Sequence, residues 1–214
     1  MTQPLKIAVL VSGGGSNLQS IIDHCQSGDI AGSVQCVISD LPDAYALTRA
    51  SQHKIPGLAP ERPLATKPEL EKFINQQLDR FEIDLIVLAG FMKVLSSEFV
   101  APYIGRMINI HPSLLPKYPG LNTHARAIAD GEQTHGATVH FVTAELDGGP
   151  IIASRQVEVL EDDSPEVLQK RVLAEEHKLL PAVIQLFAEN RILWNDGNIL
   201  LDHKPVPKTG IQEI

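Results

Sequence analysis

Apolar residues along this chain fall in short dense blocks, separated by polar stretches with helical spacing. "KIAVLV" at 6–11 is short, branched and largely apolar, and it closes on Ser12 and Gly13, which predicts a buried strand. "SNLQSIIDHCQSG" predicts a helix, with Ser16 as its N-cap and Gly28 just past its end. "SVQCVISD" at 33–40 predicts a second strand, and 44–53 a second helix. A third helix over 68–79 begins with proline at an early position, where the missing N–H costs nothing. "DLIVLAG" at 84–90 is apolar on both faces and predicts another strand; a short helix at 97–101 then leads into a strand over 106–111.

This alternation of strand and helix predicts an α/β fold with a doubly wound, mostly parallel sheet. From residue 137 the texture changes. "ATVHFVTAELDGGPIIASRQVEV" holds two β-rich runs joined by Asp147-Gly148-Gly149-Pro150, which predicts an antiparallel strand pair toward the C-terminus. A long helix follows from Ser164 as N-cap and Pro165, with a kink or interruption expected near Pro181. With no internal repeat or low-complexity tract, a single domain is expected over 1–203, followed by a surface tail over 204–214.

Composition narrows the classes. At 214 residues, 43% hydrophobic and 21% charged, the chain has the balance of an ordinary globular protein, which sets disorder and fibrous classes aside. A formal net charge of −8 argues against a nucleic-acid partner, since that needs a basic surface, though it permits a local cationic pocket. Cys25 and Cys36 are too far apart for a CxxC motif, and packing is their expected role. No apolar run approaches the ~20 residues of a membrane span, and the N-terminus shows no signal-peptide pattern. The expectation is a cytoplasmic protein with no membrane partner.

Candidate chemistry collects at strand ends. In an open α/β sheet ligands bind outside the carboxyl ends of the strands, and three polar clusters stand there: 12–17, 90–95 and 109–113. In "SGGGSN" the glycines permit close approach to a ligand, and the following helix start offers unpaired N–H groups to an anion; a bare strand-to-helix turn would use the same residues. GxxxxGK[ST] is absent. A dinucleotide fingerprint fits in part, through Gly13, Gly15 and an acid at Asp40, but Leu18 stands where its third glycine belongs; a nicotinamide-dependent oxidoreductase is kept as a rival. Ser16 and Asn17 add side-chain donors and favour a single phosphate monoester.

In "NIHPSL" the residues Asn109 and His111 alternate on a strand and so point to one side. An amide donor and an imidazole together can stabilise an oxyanion and shuttle a proton, although a polar strand end with satisfied side chains would look the same. Asp147, in the Asp-Gly-Gly turn, is the carboxylate that would orient the imidazole. There is no HExxH, His135 and His140 do not form a metal motif, and there is no GxSxG or base beside either cysteine. Direct attack of one bound substrate on another, without metal or acyl-enzyme, fits best.

Taken together, "VLVSGGGSNLQSII", "DLIVLAGFMKVLS", "INIHPSLLPKYPGLNTHARAI", "GATVHFVTAELDGGPII" and "AEEHKLLP" resemble the folate-dependent phosphoribosylglycinamide formyltransferases, in order and over nearly the whole chain. That resemblance implies a Rossmann-like formyltransferase fold and formyl transfer from 10-formyltetrahydrofolate, as co-substrate, to the amine of glycinamide ribonucleotide in purine synthesis. It implies that Asn109, His111 and Asp147 are the catalytic trio and that Gly14, Gly15, Ser16 and Asn17 hold the ribonucleotide phosphate. Glu176 is expected on the ribose or glycinamide part. Folate contacts are expected from Met92, Lys93, Val94 and Leu95, from Asn109, and from Ala144 and Asp147, with Lys67 as a donor to the folate tail. Lys93 stands where Arg is common in the family, and Asn122 where some members have histidine. A monomer or homodimer is expected. Methionyl-tRNA formyltransferases, which share a similar "NIHxSLLP" region, a 10-formyltetrahydrofolate hydrolase and a non-catalytic nucleotide-binding module are the remaining rivals.

Overall fold

The structure is a computed structural model, and it describes residues 3–195 and 197–212. Five strands run parallel: β1 (Leu5–Val11), β2 (Gly32–Ser39), β3 (Gly57–Leu58), β4 (Leu85–Leu88) and β5 (Met107–His111). β6 (Thr134–Phe141) and β7 (Ile151–Glu158) continue the sheet antiparallel, in the order β3-β2-β1-β4-β5-β6-β7. The strand order reverses direction at β1, whose neighbours are β2 on one side and β4 on the other, and this is where a doubly wound sheet opens a crevice.

Among the described residues six α-helices accompany the sheet: α1 (Ser16–Ser27), α2 (Tyr45–Gln52), α3 (Lys67–Leu78), α4 (Ser97–Val100), α5 (Thr123–Ala129) and α6 (Pro165–Ala188). Alternate residues of each central strand feed two separate cores. Ile7, Val9 and Val11 of β1, with Val87 and Ile108, meet Leu18 and Ile21 of α1 and Leu179 and Val183 of α6. Ala8, Leu10, Ile86, Leu88 and Met107 meet Leu70, Ile74 and Leu78 of α3 and Phe99 of α4. Each such aliphatic side chain contributes about 1.5–3 kcal/mol on full burial, so the parallel strands are fixed from both sides. Over β5 and β6 the second of these faces is different. Past Met107 it carries Asn109 and His111, and across the pair Thr138 and His140, while Val139 and Phe141 stay in the first core. A polar patch is thus built into the sheet beyond the reach of α3.

Two sequence expectations need correction. Ser16 is not an N-cap: Gly15, at φ 70°, takes that place, and Ser16 is the first helical residue. The reason is steric, because a Cβ at Gly15 would sit 2.7 Å from the Cβ of Ala46. α6 is not interrupted at Pro181 but runs through it. Proline lacks the N–H that would reach the His177 carbonyl four residues back, and the Ser20 hydroxyl of α1 fills the vacancy, donating to that carbonyl at 2.9 Å. α3, expected over 68–79, runs over Lys67–Leu78 and starts from Thr66, whose reciprocal capping box to Glu69 is written in "TKPE".

A second, three-stranded antiparallel sheet was not expected: β8 (Ile192–Asn195), β9 (Asn198–Leu201) and β10 (Lys204–Pro205). Trp194 ties it to the main core by standing edge-on to Phe141, with ring centroids 5.0 Å apart. Beyond β10 the chain is largely exposed, yet Ile211 forms a parallel bridge with Ala153 of β7. Residues 213 and 214 of the expected surface tail lie outside the described residues. Among the described residues no helix is long and apolar enough to cross a membrane.

Candidate active site

β5 ends in Asn109 and His111, and Pro112 forbids its continuation. Their pairing with β6 sets their surroundings: Asn109 lies opposite His140 and His111 opposite Thr138. The Nδ2 of Asn109 is 3.1 Å from Nε2 of His140. Nδ1 of His140 faces the carbonyl oxygen of Phe141 at 2.9 Å, so that nitrogen carries the proton and Nε2 is a bare acceptor. Burial holds the His140 pKa below its ordinary value and keeps the ring neutral. Asn109 must therefore donate one N–H to His140, which leaves its second N–H and its carbonyl for whatever occupies the space in front.

His111 is buried and held at both ring nitrogens. Nε2 donates to the carbonyl of Tyr118 at 2.8 Å, and Nδ1 faces Oδ2 of Asp147 at 3.4 Å. With Nε2 committed to a backbone acceptor, Nδ1 is the ring nitrogen turned toward the carboxylate. Behind it His124 and His135 meet edge-to-face, their centroids 5.1 Å apart. Burial, with the neighbouring His124, pushes His135 down to about 4, so this backing is uncharged.

Asp147 arrives from the loop between β6 and β7. It sits at φ 50°, the left-handed region that aspartate tolerates better than most residues. Its Oδ2 accepts the N–H of Gly120 at 2.8 Å, and its Oδ1 lies 3.7 Å from Nε2 of His140. Gly149 allows the tight path, since a Cβ there would overlap the Phe141 carbonyl. The carboxylate thus reaches His111 although 36 residues separate them in sequence.

In front of Asn109, His140 and Asp147 lies an open cleft of about 490 Å³, its mouth included. Phe91, Lys93, Val94 and Leu95 form one wall, Thr143 to Asp147 the other, and Asn109 with His140 the floor. Of the residues expected from the sequence to contact folate, Lys93, Val94, Leu95, Asn109, Ala144 and Asp147 line this cleft. Met92 and Lys67 do not. Met92 is 63% exposed, and its N–H goes to the Ser12 hydroxyl at 2.8 Å; Lys67 is the exposed first residue of α3. Lys93 leans toward the buried carboxylate of Asp40, with Nζ at 3.7 Å. Phe91 lies within the 90–95 cluster that the sequence singles out, whereas His140 and Thr143 are cleft residues that sequence reasoning does not find. The pairing of His140 with Asn109 follows from the antiparallel register, which no local pattern prints.

The glycine-rich loop lies on the other side of Ser12. The Ser12 N–H donates to Gly90 while its hydroxyl accepts from Met92, so one residue fastens the loop to the cleft wall. Gly15 caps α1, and Asn17 donates to Oε2 of Glu176 at 2.6 Å. Glu176 is buried in α6, and burial raises its pKa, with the Asn17 bond opposing. Oδ1 of Asn17 is buried without a hydrogen-bond partner. Gly14, Gly15, Ser16, Asn17 and Glu176 are therefore gathered into one place, across the switch point from the cleft.

Comparison with known proteins gives a consistent picture. A family model described as formyl transferase matches residues 5–184. The chain is 47% identical over 206 residues to a phosphoribosylglycinamide formyltransferase of Haemophilus influenzae, covering 96% of this chain and 97% of that one. It is 44% identical over 210 residues to the Escherichia coli protein of the same name, covering 96% and 98%. A solved phosphoribosylglycinamide formyltransferase of Coxiella burnetii superimposes with a TM-score of 0.93 at 46% identity, over 99% of this chain and 100% of that one.

Proposed function

The chain belongs to the formyl transferase family, and from that premise we propose that it transfers the formyl group of 10-formyltetrahydrofolate to the amine of glycinamide ribonucleotide. The products are formylglycinamide ribonucleotide and tetrahydrofolate, and the reaction belongs to purine synthesis. The observation that carries this reading is a cleft at the ends of β4 and β5 lined by Asn109 and Asp147, with the buried His111 ring held against Asp147 just behind it.

The pterin end of the donor enters the cleft between the 90–95 and 144–149 segments, with its formyl group over Asn109. The neutral amine of the acceptor attacks the formyl carbon. A C–N bond forms as the carbonyl electron pair moves to oxygen, and the free N–H of Asn109 and the protonated Nδ1 of His111 meet that developing charge. On collapse the carbonyl re-forms, the bond to N10 breaks, and the proton lost by the attacking nitrogen is delivered to N10, with Asp147 holding His111 or a water in line. Alignment of two bound substrates supplies several kcal/mol with no covalent enzyme intermediate.

The acceptor's phosphate belongs in the Gly14–Asn17 loop. Support comes from the unspent amides at the start of α1, the unpartnered Oδ1 of Asn17, and the position of the loop beside the cleft. Glu176, raised in pKa and bonded to Asn17, is suited to the sugar hydroxyls.

Incubation with 10-formyltetrahydrofolate, with and without glycinamide ribonucleotide, tests the reading. Formyl loss that depends on the acceptor is the expected result. Loss without acceptor would make the protein a hydrolase, and no loss would leave only a binding module.

A further inference from the structure

The glycine-rich loop does not hold its shape alone. Helix α2 backs it at two successive peptides. The N–H of Ala46 donates to the Gly13 carbonyl at 3.0 Å, and Nε of Arg49 donates to the Gly14 carbonyl at 2.8 Å. Both peptides are trans, so the N–H of each points away from its carbonyl. Fixing the Gly13 and Gly14 carbonyls against α2 therefore turns the N–H groups of Gly14 and Gly15 to the opposite side, away from the helix. The Gly15 carbonyl in turn accepts the N–H of Gln19, which orients the next amide, that of Ser16, outward along α1.

Arg49 is itself held in place. Nη1 donates to Oε1 of Gln19 at 3.2 Å, and the guanidinium lies over the Tyr45 ring, 5.0 Å from its centroid. Its Nη2 has no acceptor among the described residues. Glycine at 15 is dictated by Ala46 of the same helix, whose Cβ would lie 2.7 Å from a Cβ there, while Cδ of Arg49 packs beside it at an ordinary 3.5 Å. A dianion approaching a chain of net charge −8, beside the carboxyl of Glu176, needs a local cation. The buried Oδ1 of Asn17, unpartnered in the same loop, is a separate sign that this place completes its hydrogen bonds with a ligand.

We propose that Arg49 is a positioning residue for the acceptor's phosphate, locking the Gly14–Gly15 peptide so that its N–H faces the anion and setting a positive charge behind it. The proposal rests on the loop being the phosphate site. A cation on the carbonyl also polarises the peptide, making its N–H a better donor to an anion.

The test compares glycinamide ribonucleotide with glycinamide riboside, which lacks the phosphate, as acceptors for the full-length enzyme. Arg49→Gln raises KM for the ribonucleotide about tenfold with kcat little changed, and leaves KM for the riboside where it was. Arg49→Lys keeps the charge but loses the planar Nε–H, and recovers only part of the difference. Donor-analogue binding to each variant serves as the folding control. An Arg49→Gln enzyme matching wild type on the ribonucleotide, or losing equally on both acceptors, overturns the proposal. Ser16→Asp separates it from the loop reading. If this acid in the loop abolishes the preference for the phosphorylated acceptor while Arg49→Gln does not, the loop stands and Arg49 falls. If wild type shows no such preference, the loop reading fails, and the proposal fails with it.

Discussion

Asn109 donates to His140 across the β5–β6 pair, and that contact fixes which way the Asn109 amide faces the cleft. His140 can only accept at Nε2, because its other nitrogen gives its proton to the Phe141 carbonyl. In the proposed mechanism, an unsupported asparagine could turn its oxygen toward the developing oxyanion and repel it. The register of two strands thus selects donor over acceptor.

Asn109→Ala is expected to lower kcat by ~10²–10³, the scale of losing one oxyanion donor. His140→Leu, acting through Asn109, should cost about tenfold, and the double variant should be little worse than Asn109→Ala. Single-turnover rates for the three enzymes decide it. Additive losses would mean that His140 acts on its own.

The reach of Asp147 depends on Gly149. Gly149→Ala would force its new methyl into the Phe141 carbonyl and move the loop. The expected outcome is a kcat loss comparable to Asp147→Asn, accompanied by a lower melting temperature that Asp147→Asn does not share. Steady-state kinetics and calorimetry on the pair check this.

Acid should weaken the fold through its buried histidines. His135 is pushed down to about 4 by burial and by His124, and burial lowers His124 and His140 as well. Between the ordinary imidazole value and these lower ones, the unfolded chain binds protons that the folded chain does not, so stability rises with pH across that window. It is fully present above about 6.5, the free-imidazole value, and is lost on descent toward 4. Urea midpoints at stepped pH should show this slope. His135→Gln should flatten it, and an unchanged slope would remove His135 as a cause.

Ser20 and Pro181 form a testable couple. Ser20→Ala leaves the buried-side carbonyl of His177 without a donor and should cost about 1–2 kcal/mol. Pro181→Ala restores the helical N–H at that carbonyl, so Ser20→Ala made in that background should cost much less. Denaturant unfolding of the four proteins gives the coupling directly.

Much of this protein was readable along the chain. The strands β1, β2, β4 and β5 are buried on both faces and leave solid apolar blocks, and the glycines, Asn109 and His111 fall at their ends, where ligands bind in such sheets. The small sheet was not readable: β8 and β9 are four residues each, each with a single buried residue, Ile192 and Ile199. N-cap preference is local and points to Ser16, whereas the approach of Ala46 that demands glycine at 15 comes from another helix.

The chain alone determines which residues stand at the mouths of which strands, because periodicity and turn chemistry act between near neighbours. Only the folded sheet decides that His140 steers Asn109, that Asp147 reaches His111, and that Arg49 backs the glycine loop. Those contacts join residues 31, 36 and 35 positions apart, through strand register and helix packing that no local pattern encodes.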